Sequence, residues 1–456
     1  VDVRLQSLID ATADETRARA ARIADAWRIY EGDRKHALTD PDPDEIRLNL
    51  AGLIVDTGVD FLFGQNITLD TDADSKADER DTWLAEAWGY QMTVRLQTAA
   101  THGAVAGHAL LRIAPTDDAN PRLSPPRVLP LDPACYTAIW DPADIETLLA
   151  QVVAWRGLND SGKETAYRQV LVDEGGWWSI TDQQSGSTDS GRWVTTNEAR
   201  WEHAWSPIVD CQNLLAPGKY YGRPDLTRDV LDTQEAVNDS LSSTRRKDRL
   251  QNRQVLVGTG FDAAAEEALA EGDAILLPDS KSDLKAINPA AGTVRDSLEL
   301  YRTVKAALHE ISRVPEIAAG RLDNIGQLSG LALQILYGPL VRKTETKRRT
   351  YGAMVSTVSA RLLEVAGYGD AADHHVEVRW PEVLPTDREA EARTANELQR
   401  AGVSKKTTIG ELGYEPAKEA EARDDEAREA QARMQVAFDR GLDAGPPRFP
   451  DVGDGE

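Results

Sequence analysis

AWSPIVDCQNLLAPGKYYGRPDL (204–226), running into TRDVLDTQEAVNDSLSSTRRKDRL (227–250), is the stretch that decides the fold. Its first part reads as a hairpin-like entry into a long helix, with Pro207-Ile208-Val209, then Asn213, then Tyr221-Gly222-Arg223 and Asp225-Leu226 in order. In the second part Leu226, Val230, Val237 and Leu241 keep a four, seven, four spacing, which puts them on one face of a helix ending near Asn252. A helix that is apolar on one side only must pack against something. No catalytic constellation accompanies the stretch.

Downstream, VLVGTG and AILLP read as two strands around the acidic, Ala-rich segment FDAAAEEALAEGD, and Ala286-Ile287-Asn288-Pro289 as a third. Thr293-Val294-Arg295-Asp296 has the form of a capping box, and a second helix follows with Leu298, Tyr301, Val304, Leu308 and Ile311. Pro315 stops that helix, and the loop from there to Gln327 is expected to be mobile. A basic helix then runs through Tyr351, Met354, Val358, Leu362 and Val365. Gly338-Pro339 falls inside it and predicts a kink, because proline removes a donor and clashes with the preceding turn. VEVRWPEVLPTD gives one more strand. Thr386-Asp387-Arg388-Glu389 and Ser404 read as caps of further helices, and AKEAEARDDEAREAQARMQVAF as a charged helix.

Upstream, the first thirty residues read as helix, with Leu5, Leu8, Ile9, Ala20, Ile23, Trp27 and Tyr30 at three- and four-residue spacing, ended by Tyr30-Glu31-Gly32. A second helical run starts at Leu48 and carries Ile54, Val55, Phe61, Leu62 and Phe63. A helix with Trp83, Trp88 and Leu96 from Thr82 leads into HALLRIAP by about Ala114. The segments RVLPLDP, CYTAIWDP, LAQVVAWRG, AYRQVLVDEG, WWSIT and RWV, separated by turn residues, read as an antiparallel meander.

At 456 residues and 41% hydrophobic content the chain exceeds one ordinary domain and has material for a substantial core. Its apolar runs are short and interrupted by charge, and residues 1–30 lack an h-region, so the sequence supports neither a membrane span nor a signal peptide. Cys135 and Cys211 stand far apart without a partner motif, which suits a reducing compartment and small core residues. A net charge of −24 argues against a duplex-binding protein of the ordinary kind, which neutralises phosphates with Lys and Arg.

Several motifs mimic chemistry. Residues 157–165, GLNDSGKET, nearly spell a phosphate loop, but Glu164 stands where a hydroxyl must meet magnesium, and strand-like runs flank it; an exposed hairpin turn is the reading. Asp70, Asp72, Asp74 and Asp81 resemble a calcium loop, yet Ser75 replaces the required glycine, and a solvated acidic loop is expected. His102, His108, His374 and His375 read as structural. Arg245, Arg246, Lys247, Arg249 and Arg253 form a basic cluster at the end of the first long helix, equally a solvated helix end or a functional patch. Arg342, Lys343, Lys347, Arg348 and Arg349 form a second, assigned to ion pairing between subunits.

The succession Tyr30-x-Gly32, Asn49, Leu62-Phe63-Gly64-Gln65, then Pro207-Ile208-Val209, Asn213, Tyr221-Gly222-Arg223, Asp225-Leu226, then Ile311-Ser312-x-Val314-Pro315, Ser329-Gly330-x-Ala332-Leu333 and Pro339-Leu340 resembles bacteriophage portal proteins of long-tailed phages. The resemblance runs from about Ala21 to Arg428. It implies an α+β portal fold: a wing over 1–224, stem helix 1 over 225–252, a clip over 253–292, stem helix 2 over 293–314, a tunnel loop over 315–327, the long kinked helix and wing return strand over 328–385, a helical crown over 386–440 and a disordered tail over 441–456. It further implies a cyclic homo-oligomer of twelve copies at one capsid vertex, no enzymatic activity, no cofactor, no metal and no membrane. The implied partners are the terminase large subunit, major capsid and scaffolding proteins, a head-completion adaptor and double-stranded DNA passing without sequence specificity. Location follows as the virion, with assembly in the host cytoplasm. Gly320, Arg321, Asn324 and Gln327 would face DNA from the tunnel loop, and the Arg245 to Arg253 cluster would form a belt at the stem and clip junction. An acidic wall suits a conduit, because DNA must slide past without sticking. The alternatives are a nucleic-acid-processing NTPase, for which the sequence holds only a defective phosphate loop, and another capsid or connector component.

Overall fold

The computed structural model describes residues 3–32, 44–71, 79–114, 121–122, 124–185, 193–251, 255–259, 283–287, 292–316 and 330–383, and beyond them 397–405, 407–408, 420, 423–424, 427–428 and 431. The chain divides into two units, residues 1–73 with 77–383 and residues 74–76 with 384–456.

The first unit is mixed α and β. It opens with α1 (Val3–Ala11), α2 (Ala13–Tyr30) and α3 (Leu50–Phe63). The Asn49 side chain caps α3 by accepting from the Gly52 amide at 2.9 Å, satisfying one of the donors a helix start leaves open. Strand β1 (Thr68–Asp70) follows, then α4 (Glu79–Trp88) and α5 (Met92–Ala106). The single helix expected from Thr82 onward is therefore two, divided at Gly89, whose φ of 63° lies in the left-handed region that a side chain disfavours. HALLRIA is not its continuation but strand β2 (His108–Ala114), the centre of a three-stranded antiparallel sheet with β3 (Arg127–Leu131) and β9 (Ile208–Gln212).

Strands β4 (Tyr136–Asp141), β5 (Asp144–Leu158), β6 (Glu164–Asp173), β7 (Trp178–Ser185) and β8 (Trp193–Trp201) pair in sequence order as the expected meander. RVLPL is excluded from it, because β3 pairs with β2 instead. Ile139, Ala150, Val152 and Val170 make a small apolar cluster on this sheet, covered by Leu8 and Ile9 of α1.

Helix α6 (Arg228–Gln251) leads to β10 (Val255–Thr259), which pairs antiparallel with β11 (Asp283–Ile287), and α7 (Gly292–Ser312) returns. The strand anticipated at Ala286-Ile287 is thus β10's direct partner, while AILLP lies outside the described residues. Helix α8 (Gly330–Val365) runs 36 residues through Pro339. β12 (Glu377–Arg379) closes the unit by pairing with β1.

The main core gathers where α3, α5 and α8 meet the β2 sheet: Ile54, Leu96, Leu110, Leu111, Val355 and Leu362 are buried there. Helices α5 and α8 come close because position 103 is glycine; a Cβ there would sit 1.9 Å from the Tyr351 hydroxyl. Both cysteines are free, half-buried and packed on this core. No helix among the described residues is long and apolar enough to cross a membrane. In the second unit, Ser404 Oγ accepts from the Thr407 amide at 3.2 Å, the cap its sequence predicted; the cap expected at Thr386 lies outside the described residues.

Candidate functional site: an anchored helical hairpin

Helices α6 and α7 form an antiparallel hairpin. At its far end the Lys247 ammonium donates to Ser297 Oγ at 2.9 Å, which sets the end of α6 beside the beginning of α7. Along α6, Gln234, Asn238 and Ser242 recur every four residues and hold residues 46–51 like a strand neighbour. The Ile46 amide donates to Ser242 Oγ (3.0 Å), the Leu48 amide to Asn238 Oδ1 (2.9 Å), the Ala51 amide to Gln234 Oε1 (3.0 Å), and Gln234 Nε2 donates to the Leu48 carbonyl (2.6 Å). That is why a helix packed on its neighbours is so rich in Asn, Gln and Ser: the polar groups satisfy a backbone that has no sheet to join.

The foot of α6 is fixed by backbone first. The Asp225 and Leu226 amides both donate to the Ala104 carbonyl (2.7 and 3.3 Å), the Asn213 amide to Gly107 (3.0 Å) and the Arg223 amide to Leu214 (2.8 Å). Gly107, with φ 87°, and Gly222 touch through their backbones, and a Cβ on either would come within 2.6 Å of the other's carbonyl oxygen. The Tyr221-Gly222-Arg223 signature is thus a steric requirement.

Asp225, fully buried, is then clamped by Lys343 and Lys347 of α8, side chains 5% and 3% exposed. Lys343 Nζ lies 3.1 Å from Asp225 Oδ1, and Lys347 Nζ donates to Oδ2 at shorter range. Asn213 Nδ2 adds a bond to Oδ1 (3.4 Å), and Asn213 Oδ1 accepts from the Tyr351 hydroxyl (3.0 Å). Lys343 also donates to the Ser312 carbonyl at 2.9 Å, the last residue of α7. One lysine of α8 therefore holds both feet of the hairpin. The end of α7 is shaped for this: Arg313 turns left-handed (φ 60°), His309 Nδ1 donates to the Val314 carbonyl (2.9 Å) and Ser312 Oγ accepts from the Val314 amide (3.4 Å).

Burial alone would raise the Asp225 carboxyl, but the two ammoniums outweigh it and hold it at about 2, against an ordinary 3.8. A carboxyl lowered on folding contributes stability above its unfolded value, lost as pH falls through its folded one. Acid unfolding is therefore expected to have a component between pH 4 and pH 2 that Asp225→Asn removes, read as a shallower acid limb in a pH titration of denaturation midpoint. Lys347 is pushed below its ordinary value by burial, against the pull of Asp225.

Lys343 and Lys347 correct the second basic cluster: they pair inside the chain, not across subunits. Arg348 likewise donates to the Pro381 carbonyl (2.7 Å) and covers Trp380, whereas Arg342 and Arg349 are exposed. In the first cluster Arg245, Arg246, Lys247 and Arg249 are exposed at the end of α6, but Arg249 is paired with Asp44 at 2.6 Å. Arg253 lies outside the described residues, as do Gly320, Arg321, Asn324 and Gln327. Gly338 and Pro339 sit within α8 as expected.

The phosphate-loop mimic is a hairpin turn between β5 and β6, in which Asn159 Oδ1 accepts from the Ser161 and Lys163 amides (3.1 and 2.9 Å). Of the calcium-loop acids, Asp70 pairs with Arg379 and Asp81 accepts from the Thr71 amide; Asp72 and Asp74 lie outside the described residues. Among the described residues no three His, Cys, Asp or Glu side chains gather as metal ligands.

His102 bonds the Leu131 carbonyl (2.9 Å). His108 meets a carboxylate that sequence distance concealed: its Nε2 lies 2.8 Å from Asp210 Oδ2, which also accepts from Tyr136 and Tyr220. Burial would raise the Asp210 carboxyl, and these donors bring it below its ordinary value. Three donors satisfy that carboxylate oxygen, while the other ring nitrogen of His108, Nδ1, is buried without a hydrogen-bond partner among the described residues.

The family described as "Phage portal protein, SPP1 Gp6-like" matches residues 10–433. No curated protein matches the chain. Among solved structures, a chain from the neck of an empty GTA particle, computed with C6 symmetry, is similar at a TM-score of 0.43 and 14% identity, over 86% of this chain and 94% of that one.

Proposed function

Because the chain belongs to the SPP1 Gp6-like family of phage portal proteins, we propose that it closes into a ring at one capsid vertex and serves as the conduit for packaging and ejecting double-stranded DNA. The observation that carries this reading is the family match over residues 10–433, which takes in the helical hairpin, the long helix and most of the C-terminal unit in one alignment. On this reading α6 and α7 are the stem, the β10–β11 pair belongs to the clip, the segment holding Gly320, Arg321, Asn324 and Gln327 is the DNA-facing tunnel loop, and the C-terminal unit is the crown.

The ring docks the terminase large subunit during packaging and a head-completion adaptor afterwards, and meets capsid and scaffolding proteins during assembly in the host cytoplasm. Arg245, Arg246, Lys247 and Arg249, with Arg253 just beyond them in sequence, repeated around the ring at the far end of the hairpin, supply its basic belt. The family is structural, so the chain is expected to move DNA without hydrolysing nucleotide itself.

Native mass spectrometry and electron microscopy of the purified 50.0 kDa chain test this. The expected result is a closed ring with a central hole and a mass many times that of one chain. ATP turnover should be absent and unaffected by Lys163→Ala. A chain that stays monomeric at high concentration over a range of salt, or ATP turnover lost in Lys163→Ala, would overturn the reading.

A further inference from the structure

His108 is almost wholly buried, at 2% exposure, yet only one of its two ring nitrogens is engaged. Asp210 Oδ2 accepts from the Tyr136 and Tyr220 hydroxyls and lies 2.8 Å from His108 Nε2. Its carboxyl is held below the ordinary value and is ionised at neutral pH, so it can only accept, and the hydrogen between the two side chains sits on Nε2. In the neutral ring Nδ1 is then a bare acceptor. It is buried and has no hydrogen-bond partner among the described residues. A buried acceptor left unmet is costly, and such an atom marks a place where a donor belongs.

His108 and Asp210 also line a cavity of about 520 Å³ between the start of β5, strand β9 and the chain that follows β9. Ile145, Leu215, Ala216 and Pro217 give it apolar walls, and besides Asp210 its charged residues are Glu146 and Lys219, both exposed. The volume is several times the roughly 150 Å³ that admits a benzene ring. Mostly apolar walls with a few placed polar groups are the make-up of small-ligand sites.

We propose that this cavity binds a small apolar body carrying one hydrogen-bond donor, of the phenol class, with its hydroxyl donating to His108 Nδ1. The tautomer of His108 dictates the donor, and the walls dictate the apolar body. Tyr220, also in the lining, offers an aromatic ring for such a body to meet. A free phenol and the side chain of a tyrosine on a bound polypeptide present the same chemistry. The site lies within one chain, so it stands or falls apart from the ring.

Saturation-transfer NMR and calorimetry on the full chain, with p-cresol and its isomer anisole, test the site. The two have the same atoms, but anisole has no hydrogen to donate. p-Cresol is expected to saturate with a Kd of about 1 mM, and anisole to bind about tenfold more weakly. His108→Phe should abolish that preference. Leu215→Trp fills the cavity from a position 53% exposed, and should weaken p-cresol by about tenfold with circular dichroism unchanged. N-acetyltyrosinamide separates the two sources: binding by the same rules identifies a tyrosine side chain, and its exclusion alongside p-cresol binding identifies a free phenol. Absence of saturable p-cresol binding, equal binding of p-cresol and anisole, a preference retained in folded His108→Phe, or p-cresol binding untouched by Leu215→Trp overturns the site.

Discussion

Asp225→Ala is expected to destabilise the protein by about 3–5 kcal/mol, because it leaves two ammoniums in the interior without their carboxylate. The loss should appear in denaturant unfolding as a lower midpoint. Hydrogen exchange should rise at the start of α6 and the end of α7 together, since Lys343 reaches both. Removing an ammonium from the same cluster is the check on mechanism. Asp225→Asn combined with Lys347→Met, which takes away one unpaired charge, should recover a substantial part of the loss. A deficit under about 1 kcal/mol for Asp225→Ala would mean that water or a side-chain rearrangement solvates the lysines, and that the clamp is not what holds the hairpin.

Gly222→Ala is expected to cost about 3 kcal/mol or more, at the upper end of overpacking effects. Its added methyl would meet the Gly107 carbonyl oxygen at 2.6 Å, Gln212 Cβ at 2.7 Å and the Leu214 carbonyl oxygen at 2.8 Å. Two of these are backbone atoms already committed to hydrogen bonds that position Asn213 and Arg223, so relaxation must move the foot of α6 itself. Gly162→Ala is the control. Gly162, unlike Gly222, is left-handed (φ 73°), but nothing lies within 4 Å of its Cβ position, so only backbone strain of about 1 kcal/mol should appear. A thermal shift for Gly222→Ala no larger than that for Gly162→Ala would show that the close approach at position 222 relaxes at little cost.

Periodicity made the helices and the meander legible, because both repeats are local: Val230 and Val237 are buried along α6, and each strand of β4–β8 pairs with the next in sequence. Burial partners far apart in sequence were not legible. Lys343 and Lys347 look like an ordinary basic surface until Asp225, more than a hundred residues away, is folded against them. His108 appeared to lack a carboxylate for the same reason, with Asp210 102 residues distant. The spacing of Lys343 and Lys347, one turn apart with Leu340, Thr344 and Tyr351 close by on a buried side, was a usable hint of an interior pair. The polar repeat Gln234, Asn238, Ser242 was another: the four-residue interval puts three backbone-bonding groups on one side of a helix. RVLPL could not be assigned to its sheet by sequence, since a strand's pattern records which face is apolar and not which neighbour it pairs with.

Pro339 lies one helical turn before Lys343. Having no amide hydrogen, it leaves the Ile335 carbonyl without its helical donor. Beyond this point α8 is pinned by two buried ammoniums, and before it the helix lacks one rung. The result is a beam clamped along most of its length with a compliant joint just outside the clamp. The nine residues ahead of the proline form a lever of about 13 Å, so a bend of roughly 10° at the joint carries its tip about 2 Å sideways. A displacement on that scale would work against the stack of Tyr337 on Phe61 and leave Asp225 untouched, which separates the part of α8 ahead of the joint from the part that bears the hairpin.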